Sequence, residues 1–314
     1  MSGKKSQTPP LRYNSISEVF KNAGFPPPQH PLIALLNGVD KPVKGIPPPK
    51  AHVLNYYKIS FRPDTGGMLK YGQTKFDFKE GGLFFAAPQQ VLSPANPTDI
   101  QLEKKVISPQ VILLIDPAFL INYPLAAKIR QYHFFSYDTN EALHLSAKEK
   151  DMILTLFRSI EDELESRIDE MSHDVIIAQI ELLLNYAQRF YKRHFLTRKP
   201  IHHSLTEKID LLLEEYFHQQ KALDNGVPTV HYLAEKLNMS AGYLSDLLRT
   251  LVGQNTQQVL HQKLIDMGKL KLSTTNLSIS EISYELGFEH PQSFSRLFKT
   301  KTKMSPQEFR SKNN

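Results

Sequence analysis

The 314-residue chain contains no cysteine and no tryptophan. Without thiols, disulfides, thiolate zinc sites and cysteine nucleophiles are excluded, and a reducing cytoplasm is the expected compartment. No stretch approaches the ~18 consecutive apolar residues of a membrane span. The first residues, MSGKKSQTPPLRYNS, hold two lysines but no apolar core segment, so secretion is not expected. Catalytic signatures are also missing. Metal-dependent barrels commonly place two histidines on one strand. Here His30, His52 and His133 stand alone, and His202-His203 would point apart on a helix. There is no Ser-His-Asp signature, no glycine-rich phosphate loop and no carboxylate pair in an identifiable cleft. Neither an enzyme nor a bound cofactor is expected.

What is present describes an ordinary globular chain: 40% hydrophobic, 22% charged, and long enough for two domains. The net charge of +6 and pI near 9.2 favour a polyanionic partner only weakly. The charge is also unevenly placed. From residue 201 onward, 10 Lys and 3 Arg stand against 4 Asp and 8 Glu, a net of +1. Positive charge gathers late, at Lys299, Lys301, Lys303, Arg310 and Lys312.

Residues 1–30 read as a polar, basic tail, with a short helix capped by Ser15 and Glu18. Residues 31–145 read as a small β domain. Apolar or alternating runs at 32–36, 52–61, 74–78, 82–86 and 111–115 are separated by Pro/Gly/Asn/Asp turns, including Pro47-Pro48-Pro49. Such spacing predicts a sandwich or barrel able to enclose a small ligand. Tyr56, Tyr57, Tyr71, Phe76, Phe84 and Phe85 could line a pocket or simply fill the core. From Ser146 the period changes to 3.6. Ile153, Leu156, Phe157, Ile160 and Leu164 mark one helix, and Ile176, Ile180, Leu183, Leu184, Ala187 and Phe190 a second. This hairpin, 146–199, could pack on the β domain or join two copies of the chain. A basic run through Arg189, Lys192, Arg193, His194, Arg198 and Lys199 ends at Pro200, the expected boundary.

Residues 200–314 are predicted all-helical. Ser204-x-x-Glu207 is read as the cap of the first helix, and 224–228 as a loop. A sharper pattern spans 279–299. Ile282 and Leu286 end a short helix, Gly287 supplies a turn where φ > 0 is easiest, and Pro291 opens a second helix. Phe294, Leu297 and Phe298 mark its buried side. The pattern occurs twice. Leu233, Leu237 and Met239 match Ile282, Leu286 and Phe288 at an offset of 49. Leu244 to Arg249 match Phe294 to Lys299 at an offset of 50. Two helix-turn-helix modules joined by one long helix suit adjacent major-groove segments.

These strings, LAEKLNMSAGYLSDLLRTLVG and LSTTNLSISEISYELGFEHPQSFSRLFKTKTKMSPQEFR, resemble the DNA-binding domain of the AraC/XylS family of bacterial transcription regulators. The preceding domain is similar to the cupin-like sensing and dimerising part of such regulators. The resemblance implies an α+β chain: a cupin-like β barrel or sandwich with a helical hairpin, then an all-α domain with two helix-turn-helix motifs. It implies base-reading positions at Ala241, Gly242, Ser245 and Asp246, and at Pro291, Gln292, Ser295 and Arg296, flanked by Ser240 and His290. Arg249, Lys299 and Lys301 are then phosphate candidates. Gln292 can bond adenine bidentately and Arg296 guanine. Asp246 departs from the pattern; it could accept from a cytosine amine or pair with Arg249. The implied partners are duplex DNA, a second copy of the chain, RNA polymerase and a small-molecule effector, with no membrane.

Overall fold

The computed structural model describes residues 10–41, 51–63, 68–71, 74–77, 82–92, 109–138, 141, 143–166, 169, 171–197 and 201–313. The first nine residues, the proline run 47–49, the turns at 64–67, 80–81 and 93–97 and the junction 198–200 lie outside them. The chain divides into two compact units, residues 1–194 and 195–314.

The first unit is built on an antiparallel sheet. The strands are β1 (Leu11–Tyr13), β2 (Ile33–Asn37), β3 (His52–Leu54), β4 (Tyr57–Arg62), β5 (Met68–Tyr71), β6 (Thr74–Asp77), β7 (Gly82–Ala86), β8 (Val91–Leu92) and β9 (Val111–Ile115). Four of them form one sheet in the order β2-β9-β4-β7, three form β1-β3-β8, and β5 pairs with β6. The VILLI run of β9 is apolar throughout because it lies mid-sheet and is covered on both sides. The single run expected at 52–61 is two strands. It breaks at Asn55-Tyr56, where the chain leaves the three-stranded sheet and enters the four-stranded one. Because the chain changes layer there, the strands stack as open sheets, and among the described residues no sheet closes into a barrel.

Each face of the four-stranded sheet has its own cover. On one, Ala34, Ala86 and Leu114 pack against Tyr13, Ile16, Phe20, Leu54, Tyr56 and Leu92, from the smaller sheet, the β3–β4 link and helix α1 (Ile16–Ala23). Ser15 caps α1 as expected, accepting from the Glu18 N–H. On the other face, Tyr57 and Phe85 meet Phe134 and Phe135 of a short 3₁₀ turn, His133–Ser136. Tyr57 and Phe85 therefore belong to the core beneath the helices. Tyr56 and Phe84 face α1, and the side chains of Tyr71 and Phe76 lie outside the described set. Between β9 and the hairpin runs the small helix α2 (Leu125–Lys128).

The hairpin is α3 (Ala147–Glu165) and α4 (Ser172–Thr197). The Ser146/Glu149 capping box opens α3. Glu149 also pairs with Arg193, and the Ser159 hydroxyl accepts from Gln179 at 2.8 Å. Partners that run backward along α4 as they run forward along α3 make the two helices antiparallel. Arg193, expected in a solvated basic run, stays exposed but pairs with the buried Glu149 carboxylate.

The second unit contains α5 (Ile201–His218), α6 (Lys221–Asn225), α7 (Val230–Lys236), α8 (Ala241–Val252), α9 (Thr256–Thr274), α10 (Ile279–Glu285), α11 (Pro291–Thr302) and α12 (Pro306–Asn313). Two expectations need correction. Helix α5 begins at Ile201, so Ser204 lies within its first turn and is not the cap. Asp224 and Asn225, read as loop, end α6, which starts after Gln220 takes a left-handed conformation (φ 55°). The core gathers around α9: Ile265 and Leu272 pack with Ile282, Leu286, Phe294 and Phe298. Gly268 lets the Phe294 ring approach, since a Cβ there would lie 3.0 Å from it.

Candidate nucleic-acid interface

The two modules share one backbone. Helices α7 and α10 have matching ends at an offset of 49, and α8 and α11 at an offset of 50. Their turns repeat bond by bond. The Asn238 N–H donates to the Glu235 carbonyl and Met239 to Ala234; Gly287 donates to Tyr284 and Phe288 to Ser283. The turn residues Asn238 and Gly287 both have positive φ, 54° and 87°, which Asn and Gly adopt most readily. Gly287 has a second constraint. A Cβ there would lie 2.5 Å from the Gly226 carbonyl carbon and 2.7 Å from the Val227 nitrogen, so the second turn is seated on the 226–227 backbone. No local pattern foretells that contact. The α8 and α11 helices also end alike, on left-handed Gly253 and Lys303.

The outward faces differ. In α11 the buried side carries Phe294 and Phe298, four residues apart. Gln292, Arg296 and Lys299 lie on the other side, exposed, at spacings of four and three that place them in one row. Pro291 and Ser295 are half-buried beside them and His290 is exposed at the N-cap. The Arg296 guanidinium pairs with no carboxylate among the described residues. The row therefore offers an amide, a guanidinium and an ammonium to solvent. In α8 the Ser240 hydroxyl is used as the cap, accepting from the Tyr243 N–H at 3.2 Å. Ala241, Gly242 and Ser245 are half-buried and small. Asp246 and Arg249 form an ion pair at 2.7 Å within the helix. Of the two readings open for Asp246, the free protein adopts the pair with Arg249.

Other cations of this unit are engaged in holding it together. Lys263 pairs with Asp210 at 2.7 Å and Lys271 with Glu285 at 2.6 Å. Arg310, expected in the terminal basic cluster, donates to the carbonyls of Leu272 and Leu277 at 3.3 and 2.6 Å and closes the end of α9. Lys299, Lys301 and Lys303 stay exposed. The caps of α10 and α12 hold the Glu281 and Glu308 carboxyls below the usual carboxylate range, through hydrogen bonds from Ser278 and Ser305. At 1.5 Å per residue, the 19 residues of α9 span roughly 28 Å between the modules, close to the ~34 Å between successive major-groove segments on one face of DNA.

Residues 233–312 match the family described as a helix-turn-helix domain, of the AraC type. The protein is an AraC-type DNA-binding transcription regulator. Its relatives are transcription regulators rather than enzymes. The regulator is 24% identical over 260 residues to YfiF of Bacillus subtilis, an uncharacterised HTH-type transcriptional regulator, covering 83% of this chain and 78% of that one. It is 25% identical over 109 residues to the regulatory protein SoxS of Escherichia coli K12, covering 35% of this chain and 95% of SoxS. It is 36% identical over 78 residues to the arabinose operon regulatory protein of Salmonella typhimurium, covering 25% of this chain and 28% of that protein. Among the described residues, no helix is long and apolar enough to cross a membrane.

Proposed function

We infer that the regulator reads a specific operator through α8 and α11, and that the two contribute unequally. The observation that carries this reading is the contrast between the two outward faces on one shared backbone. Gln292, Arg296 and Lys299 are open to solvent, whereas Asp246 and Arg249 neutralise each other. Arg296 reads a guanine and Gln292 an adenine in the major groove, and Lys299 and Lys301 meet phosphates. Ser240, Ala241, Gly242 and Ser245 give α8 a low surface that fits close to the groove floor. Residues 31–145 form a cupin-like, open two-layer sensing domain for a small effector, and the hairpin joins two copies. Exposed Val175 and Leu182 of α4, seven residues apart, and exposed Met171 just before the helix support that seam. Domain limits at 30, 145 and 199 follow from this division, with action on cytoplasmic, nucleoid DNA and RNA polymerase as the downstream partner.

The test is genomic binding-site selection, followed by affinity measurements on the enriched site. Arg296→Ala should weaken specific binding by about 1–3 kcal/mol and relax one base position. Undiminished, equally selective binding by that variant means α11 is not the reader.

A further inference from the structure

The two modules repeat one backbone, so matching positions that differ in burial mark a neighbour that only one module has. Tyr243 of α8 matches Ser293 of α11 at the offset of 50. Ser293 is exposed, whereas Tyr243 is only 4% exposed. Leu247, one turn further along α8, is buried as well, and its counterpart Leu297 is half-buried. The flank of α8 that carries Tyr243 and Leu247 therefore has a cover that the same flank of α11 lacks.

Phe195 supplies part of that cover. The division between the two units falls inside α4, after His194, so Phe195 belongs with the second unit. Its ring, 2% exposed, meets the Tyr243 ring edge-on, with 5.1 Å between centroids and 80° between planes, an arrangement that aromatic pairs favour. The next residue, Leu196, is exposed, so it is Phe195 that turns toward α8. Tyr243 is well placed to pass on such a hold. Its N–H donates to the Ser240 hydroxyl in the first turn of α8. Asp246 follows three residues later, so the anchored ring lies beside the outward face on the helix surface. Phe195 itself precedes the residues 233–312 that match the helix-turn-helix family. The first module is thus held from outside its own repeat.

We propose that Phe195 is a positioning residue for the first reader: through Tyr243 it holds α8 in the orientation that meets the major groove, while α11 takes no such support. This rests on the reading role inferred above for α8. A helix that is not held must be ordered as DNA binds, and the apparent affinity falls with the fraction of molecules already in place. Phe195 meets the flank of α8 and not its outward row, so the bases preferred stay the same and the affinity moves.

Fluorescence anisotropy on the full-length protein tests it, with the enriched operator and two further duplexes, each with one half of the site scrambled. Wild type should bind both scrambled duplexes more weakly than the operator. Phe195→Ala should lose about five- to tenfold on the operator and on one scrambled duplex, and less than about twofold on the other, where α8 has nothing to read. Arg296→Ala, which strikes α11, should spare the opposite duplex. Phe195→Leu keeps apolar volume without the ring edge. It should show the same split at smaller size, and it carries the test if the alanine variant does not fold. Wild-type binding of the operator by both Phe195 variants overturns the proposal, as does an equal loss on all three duplexes. It is also overturned if Phe195→Ala and Arg296→Ala spare the same duplex. A wild type indifferent to the scrambling of one half removes the reading role of α8, and the proposal with it, before any variant is made.

Discussion

If the first module meets DNA through α8 as proposed, the Asp246–Arg249 pair sets how it does so. A guanidinium held 2.7 Å from a carboxylate on its own helix releases no counterion when a phosphate approaches. Asp246→Asn frees it. The expected outcome is tighter binding to random duplex and a salt dependence steeper by about one phosphate contact, a slope change near −0.9. An unchanged slope would mean that Arg249 faces away from the backbone. Asp40 is a second residue-scale case. It receives a bidentate bond from Arg158, at 2.7 and 2.6 Å, and another from Asn37 at 2.8 Å. These bonds, Arg158 first, lower its carboxyl to about 2. A depressed carboxyl contributes stability at pH above its ordinary range, and that contribution fades as pH falls toward 2. Carbon-13 NMR titration should find Asp40 near that value, and Arg158→Ala should return it toward an ordinary carboxylate. Neither pairing followed from composition. An i,i+3 acid and base were visible at 246 and 249, and the choice between base contact and self-pairing was left to geometry.

At the scale of elements, the caps were the most legible feature. Ser15, Ser146, Thr229, Ser240, Ser278 and Ser305 stand just before helices and bond into their first turns, because a cap is a contact over three residues; Ser204, with the same spacing to Glu207, lies inside α5 instead. What failed to show was short or non-local. The β1 strand is three residues long and pairs in parallel with β3, some 40 positions away. The β8 strand has two residues, too few for any period. Helix α6 has five, beginning after a left-handed glutamine. The Arg310 bonds to the end of α9 cross more than thirty residues. The turn of the second module has both local and distant determinants, and its substitution separates them. Gly287→Ala meets positive φ and the 226–227 backbone together, so a loss of about 2 kcal/mol or more and a lower melting temperature are expected. Asn238→Gly, at the matching turn, should be close to neutral. Equal effects at the two sites would show that the 226–227 contact is dispensable.

At the scale of the whole molecule, the two units were unequally readable. The C-terminal unit is gathered around α9, and the outward row proposed as the reader in α11 follows from helical period alone. The N-terminal unit is held by strand pairs whose order, β2-β9-β4-β7, leaves no trace in spacing, and its open layers took the place of a closed barrel. If the hairpin joins two copies, the fragment 200–314 should be monomeric in sedimentation and should enrich the same half-site motif as the full chain without its paired arrangement. A paired motif from the fragment alone would remove the hairpin from that role. The repeated backbone of the C-terminal unit has a consequence for descent. If both modules read DNA as proposed, two readers alike bond for bond can diverge separately, because the buried positions preserve the scaffold while the outward positions are released. A regulator built this way can exchange its target one half at a time, with one reader keeping its grip on the ancestral site while the other acquires a new preference.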